Sequence, residues 1–310
     1  MPAAWCCKAG EPAMRRNRRS DAVSARRQAG LPHRVGVPTG RTHGLSNLAG
    51  QGQRGFTLIE AVMVITITGV VIGVVSIFIA PATAAYFASS ARAQLADEAD
   101  TALRRIARDV GAALPNSARI NGQSLEMIPV SGTARYAVES GNPLQFGVAD
   151  AGFDIVGPAL RLASASQRLA WYNLGTGAPD ADAYTQANVR VSSTAAGNAS
   201  SVTLTGAALP NALQAPPYRV YAIEQPVTYR CDTTAETLTR HTGYGFLATQ
   251  ADPPTGGSVA VLARHVKACS FSFDTPAFAS RYALVTLRLQ LGVNGETVSL
   301  YHTAHLDNLP

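Results

Sequence analysis

Residues 61–80 read AVMVITITGVVIGVVSIFIA and follow GFTLIE at residues 55–60. No charged residue occurs from Ala61 to Ala91. A bilayer core needs roughly 20 apolar residues of helix, and this run supplies them. A soluble core helix seldom stays apolar on every side for so long. The run predicts a membrane-spanning helix over residues 56–80, and the rest of the chain is placed relative to it.

Ahead of the run the chain is basic and shows no helical or strand period. Residues 1–55 carry ten Lys or Arg and two acids, a net charge of +8. The whole chain has 26 basic and 20 acidic residues, so the remainder sums to −2. The pI of about 9.3 belongs to the front segment. The body offers no general positive surface, and no nucleic-acid partner is expected. Arginines on the N-terminal flank, with Asp97, Glu98 and Asp100 beyond the run, predict a cytoplasmic front and an exported body. Cys6 and Cys7 have no ligand-spaced partner. The twin arginines at Arg15, Arg18 and Arg26 lie too far ahead of the apolar run for a twin-arginine export signal.

Glu60 interrupts the apolar pattern. A carboxylate in hydrocarbon costs a few kcal/mol, on the order of 3, so an intramembrane acid is a functional candidate. It needs a cation. A free amine on Phe56, one helical turn back, would supply it if the chain were cut after Gly55.

These residues resemble the class III signal of type IV pilins and pseudopilins: Gly55, Phe56, Leu58, Ile59 and Glu60 ahead of a spanning helix. The resemblance implies that a prepilin peptidase cuts between Gly55 and Phe56, that the Phe56 amine is methylated, and that Glu60 is the assembly carboxylate. It also implies other major and minor pilins, an inner-membrane assembly platform and, before assembly, membrane lipid as partners. In a filament, breaking the buried Glu60–amine pair would cost about 3–5 kcal/mol, which makes Glu60 a register device. Prepilin leaders are usually short, so the true start is expected to lie further along than Met1. Two other outcomes stay open here. Ala82-Thr83-Ala84 offers a small-residue secretory cleavage site, and the helix could be an uncleaved anchor. The mature N-terminus separates the three.

Beyond Pro81, a point of expected kinking, Leu95, Ala99, Ala102, Ile106, Val110 and Ala113 recur at helical spacing. Asp100 with Arg104, and Arg105 with Asp109, are four apart and support the polar face. Leu114-Pro115-Asn116 stops the pattern. One helix over residues 56–114 is therefore expected, apolar all round in its first half and one-sided in its second.

From residue 115 the period changes to two and turn residues become frequent. Strands are expected at 124–129, 167–173, 188–193, 201–205, 218–230 with a break or bulge at Pro226, 237–242, 259–263, 269–274, 283–291 and 296–302. Residues 194–200 and 253–257 read as loops. Asn294-Gly295 predicts a type I′ hairpin. The expected fold class is α+β: a long N-terminal α-helix packed on a mainly antiparallel β-sheet head over 115–310.

Cys231 and Cys269 are the body's two cysteines. In an exported domain their default is a disulfide. The alternative is a metal held with His241 and His265, although the spacing from Cys231 is too wide for a zinc knuckle. His302 and His305 would face opposite sides of a strand and form no metal pair. No nucleophile elbow, phosphate loop or zinc-protease helix occurs, so neither an enzyme nor a cofactor is expected.

The head extends the resemblance. Residues 226–232 and 238–241, 102–109, Leu114-Pro-Asn-Ser117, residues 269–274 and the closing HLDNLP at 305–310 are, in that combination, similar to the MshO-type minor pilins of MSHA pilus biogenesis. A large head of this kind implies a low-copy assembly or initiation subunit. Rival readings are a minor pseudopilin of a type II secretion system, a tip adhesin or DNA-uptake binder, the latter disfavoured by the body's charge of −2, and a membrane-tethered periplasmic hydrolase.

Overall fold

The computed structural model describes residues 55–273 and 282–309. Residues 1–54, with Cys6 and Cys7, lie outside them, as do Asp274 at the end of an expected strand and Pro310. By its contacts the chain divides into two units, Met1–Ala61 and Val62–Pro310.

The architecture is α+β. Helix α1 covers Leu58–Gly111 and continues through Pro81. It is three residues shorter at its end than the spacing suggests, because Ala113 pairs with Pro129 in an isolated bridge instead. Leu95, Ala99, Ala102, Leu103, Ile106 and Val110 are buried, which is the expected stripe with Leu103 added. By contrast, every residue from Val62 to Phe87 is exposed. Within that exposed stretch three hydroxyls bond the helix's own backbone: Thr66 Oγ1 donates to Met63 O at 2.9 Å, Ser76 Oγ to Ile72 O at 2.8 Å and Thr83 Oγ1 to Ala80 O at 2.9 Å. The surface offered outward is thus almost purely apolar.

Sixteen strands follow among the described residues: β1 Arg119–Asn121, β2 Ser124–Met127, β3 Val130–Tyr136, β4 Gly152–Val156, β5 Leu160–Leu162, β6 Arg168–Trp171, β7 Val189–Ser192, β8 Gly197–Ala199, β9 Ser201–Thr205, β10 Arg219–Ile223, β11 Val227–Asp232, β12 Thr237–Thr242, β13 Ser258–Arg264, β14 Val266–Phe273, β15 Tyr282–Val293 and β16 Glu296–Asp307. They form a five-stranded sheet β1-β2-β11-β12-β13, a three-stranded sheet β14-β15-β16, a closed barrel β10-β3-β4-β9-β7-β6 and a β5–β8 pair. All strand pairings among the described residues are antiparallel.

The expected strand over 218–230 is in fact two strands in different layers. β10 closes the barrel against β6 and β3, whereas β11 belongs to the five-stranded sheet. Pro226 lies at the changeover, where its missing N–H would break a ladder. Because β11 pairs directly with β2, starting at Val227 opposite Met127, residues 128–226 form an insertion between two neighbouring strands. Residues 197–199, expected to be loop, form β8.

The barrel has its own core of Phe153, Leu169, Trp171, Val202 and Val220. Phe153 and Trp171 meet edge-on with centroids 6.0 Å apart, a favoured aromatic geometry. Leu160 and Leu162 of β5 are buried in the same cluster. Two strand glycines are set by close backbone approach: a Cβ on Gly132 would stand 2.4 Å from Arg161 O, and one on Gly152 would stand 2.5 Å from Val202 O.

A second core joins the buried stripe of α1 to the five- and three-stranded sheets, through Leu125, Tyr229, Leu238, Val285, Leu287 and Leu289. Val293 and Glu296 flank the expected hairpin, with φ of 52° at Asn294 and 83° at Gly295, as a type I′ turn requires.

Candidate functional site

The first unit contains Gly55, Phe56 and Glu60, the residues expected to serve processing and assembly. Gly55 to Thr57 precede α1, so the Gly55–Phe56 bond lies outside the helix. Backbone that is not locked into helical hydrogen bonds is what a peptidase needs. No atom lies within 4 Å of a Cβ built on Gly55, and Phe56 is exposed. Thr57 caps the helix: its Oγ1 accepts the Glu60 N–H at 3.3 Å, and its carbonyl accepts the N–H groups of Glu60 and Ala61 at 3.1 and 3.2 Å. Thr57 and Glu60 have the spacing of a capping box. Glu60 therefore sits in the first turn, where the helix dipole favours an acid. Its carboxylate is exposed and forms no ion pair with any described residue.

The second unit holds α1 on the head by a polar latch as well as by its stripe. Asp109 accepts a short hydrogen bond from the Tyr229 hydroxyl and lies 3.2 Å from Arg240 Nη2. Arg240 Nε also donates to the Tyr229 oxygen at 3.1 Å. Burial, reinforced by the Asp109 charge, pushes the Tyr229 phenol far above its ordinary range, so it stays a donor. Three turns earlier Glu98 accepts the Arg264 backbone N–H at 2.6 Å, and nearer the start of the helix Arg92 pairs with Glu296 at 3.3 Å. The expected pairs are present too, Arg104–Asp100 at 2.7 Å and Arg105–Asp109 at 3.7 Å. Helical spacing predicted the latter but gave no sign of Arg240, which is the closer partner of Asp109.

The helix exit is a second junction. Asn173 Nδ2 donates to Pro115 O at 2.7 Å, and Tyr184 OH to Ser117 O at 2.8 Å. The Asn116 N–H donates to Asn308 Oδ1, and Asn116 Nδ2 donates to Asn308 O, both at 3.2 Å. Tyr221 OH donates to Leu309 O at 3.2 Å. The LPNS stretch after the helix and the closing segment of the chain, distant in sequence, thus meet against the barrel. The Arg119 guanidinium lies 3.5 Å above the Tyr184 ring and pairs with buried Glu126 at 2.5 Å.

Cys231 on β11 and Cys269 on β14 have Cα atoms 6.3 Å apart, inside the range a disulfide spans. They lie on the five-stranded and the three-stranded sheet respectively. His241 is buried on β12; its Nε2 lies 3.0 Å from Thr239 Oγ1. Burial and the nearby Arg230 hold its pKa below the ordinary value, with Asp252 opposing. His265 is exposed at the β13–β14 corner. No group of three or more candidate metal ligands occurs among the described residues. His302 faces the half-buried side of β16 and His305 the exposed side.

Residues 50–76 match the family model described as the prokaryotic N-terminal methylation motif. That motif is type IV prepilin-like, and it covers Gly55, Phe56, Glu60 and most of the exposed apolar run. No curated protein matches the chain. No solved structure matches it either.

Proposed function

We propose that the chain is a minor pilin of the MshO type, acting in assembly and initiation of a type IV pilus of the MSHA class. Prepilin peptidase removes the leader after Gly55, and the new Phe56 amine is methylated. Glu60 then meets such an amine when the subunit leaves the bilayer for the filament. Before that step residues 56–80 span the inner membrane, with the leader in the cytoplasm and the head, residues 115–310, in the periplasm. In that oxidising compartment Cys231 and Cys269 form a disulfide. Other pilins and the inner-membrane assembly platform are the partners.

The observation that carries this reading is the methylation motif at residues 50–76 lying on a helix whose apolar surface stays uncovered through Phe87. Such a surface is unstable in water and calls for lipid first and neighbouring helices later. The test has two parts. Mass spectrometry of the mature chain should find methylated Phe56 at its N-terminus. Glu60→Val, in cells lacking the native copy, should be cleaved normally yet fail to enter pili. Normal piliation by that variant, or a mature chain still carrying Arg54, would falsify the proposal.

A further inference from the structure

A cavity of about 640 Å³ opens on the solvent face of the β14-β15-β16 sheet. Its walls follow from strand register. Ala268, Gln290 and Ser299 stand side by side across the three strands, and so do Ser270, Arg288 and Tyr301. Between these rows Cys269, Leu289 and Leu300 turn inward to the core, which leaves backbone as the floor. Alternate residues on a strand stand about 7 Å apart, and three strands span about 10 Å. The trough is too narrow for a helix, whose diameter with side chains is about 10–12 Å.

The row of Ser270, Arg288 and Tyr301 is the wall with distinctive chemistry. Tyr301 is 79% exposed, an aromatic face presented to water in mid-strand. Directly across from it, the Arg288 guanidinium has no hydrogen-bond or ion-pair partner among the described residues. Among the described residues no carboxylate lines the trough. Ser270, Ser299 and Gln290 add groups that both donate and accept.

We propose that this trough binds an acidic glycan, one or two uronic-acid-type residues at a time. The C–H face of a sugar ring would lie on Tyr301. Its hydroxyls would exchange hydrogen bonds with the serines and Gln290, and its carboxylate would take the planar fork of Arg288. A nucleic acid needs several cations along its backbone, and among the described residues the trough is lined by one, Arg288. A stable protein partner covers about 800 Å² per side, far more than this trough presents. The site is separate from the assembly residues, so its failure would leave the pilin reading intact.

The experiment is calorimetric titration of the full mature chain in detergent micelles with trigalacturonate, with neutral galactotriose and with a ten-residue oligothymidylate. Saturable binding of trigalacturonate is expected, weakened at least tenfold by Tyr301→Ala and retained by Tyr301→Phe. Arg288→Gln should abolish the preference for trigalacturonate over galactotriose. Both side chains are exposed, so unchanged melting curves verify the fold. Absence of saturable trigalacturonate binding, binding indifferent to both substitutions, or tighter binding of oligothymidylate would each overturn the assignment.

Discussion

Removing the carboxylate of Asp109 tests how α1 is held. Asp109→Ala leaves the fully buried Tyr229 hydroxyl and the Arg240 guanidinium without their acceptor. A hydrogen bond to a charged group contributes about 1.5–3 kcal/mol. Breaking a fully buried ion pair by deleting one partner costs about 3–5 kcal/mol. Here the side chains of Arg240 and Asp109 are 22% and 21% exposed, so solvent relieves part of that penalty. A loss of about 2–3 kcal/mol is expected, and Tyr229→Phe should lose about 1.5 kcal/mol. The double variant should fall short of additivity by about 1 kcal/mol or more. Asp100→Ala on the same helix is the control: its pair with Arg104 is largely exposed, and it should cost less than about 0.5 kcal/mol. Denaturant unfolding of the full chain in micelles, followed by circular dichroism, measures all four. Amide exchange over 99–110 locates the effect, since a released helix should lose protection there first. If Asp109→Ala matches Asp100→Ala, docking is purely apolar and the latch is incidental.

Two further outcomes concern the head. Cys231→Ser should lower stability by about 4 kcal/mol on the chain-entropy model, given the 38-residue separation from Cys269; a reductant should lower the native melting temperature comparably, and indifference to both would exclude the bond. His241 has a folded pKa held below its unfolded value. The unfolded chain then binds a proton near pH 6.5 that the folded chain refuses, so stability is lost as pH falls through that window, by at most about 1.4 kcal/mol per pH unit. Melting curves between pH 7.5 and 5 should show that slope, and His241→Gln should flatten it.

The N-terminal methylation motif and the helix were legible because their signals are local. Gly55, Phe56 and Glu60 are neighbours in the chain, and the apolar run and the 95–110 stripe each repeat within one helix. The Asn294-Gly295 turn was equally legible, since its two residues impose their own backbone angles. By the same local rules β12 and β9 were placed from alternation alone.

The barrel was not legible, and the reason is physical. Its strands are short, two contain glycine, and its closure joins β10 to both β3 and β6 across long separations, where no period registers. Alternation could mark apolar residues in 218–230 but could not say that Pro226 separates two layers. The latch at Asp109, the meeting of Asn116 with Asn308 and the trough beside Tyr301 also depend on which strands become neighbours. The sequence by itself determined which segment can leave water and where its acid lies, because burying apolar surface is a property of composition and period. Only the tertiary structure decided how the head grips the helix and what it presents outward. Those features rest on directional contacts between residues that the chain holds far apart.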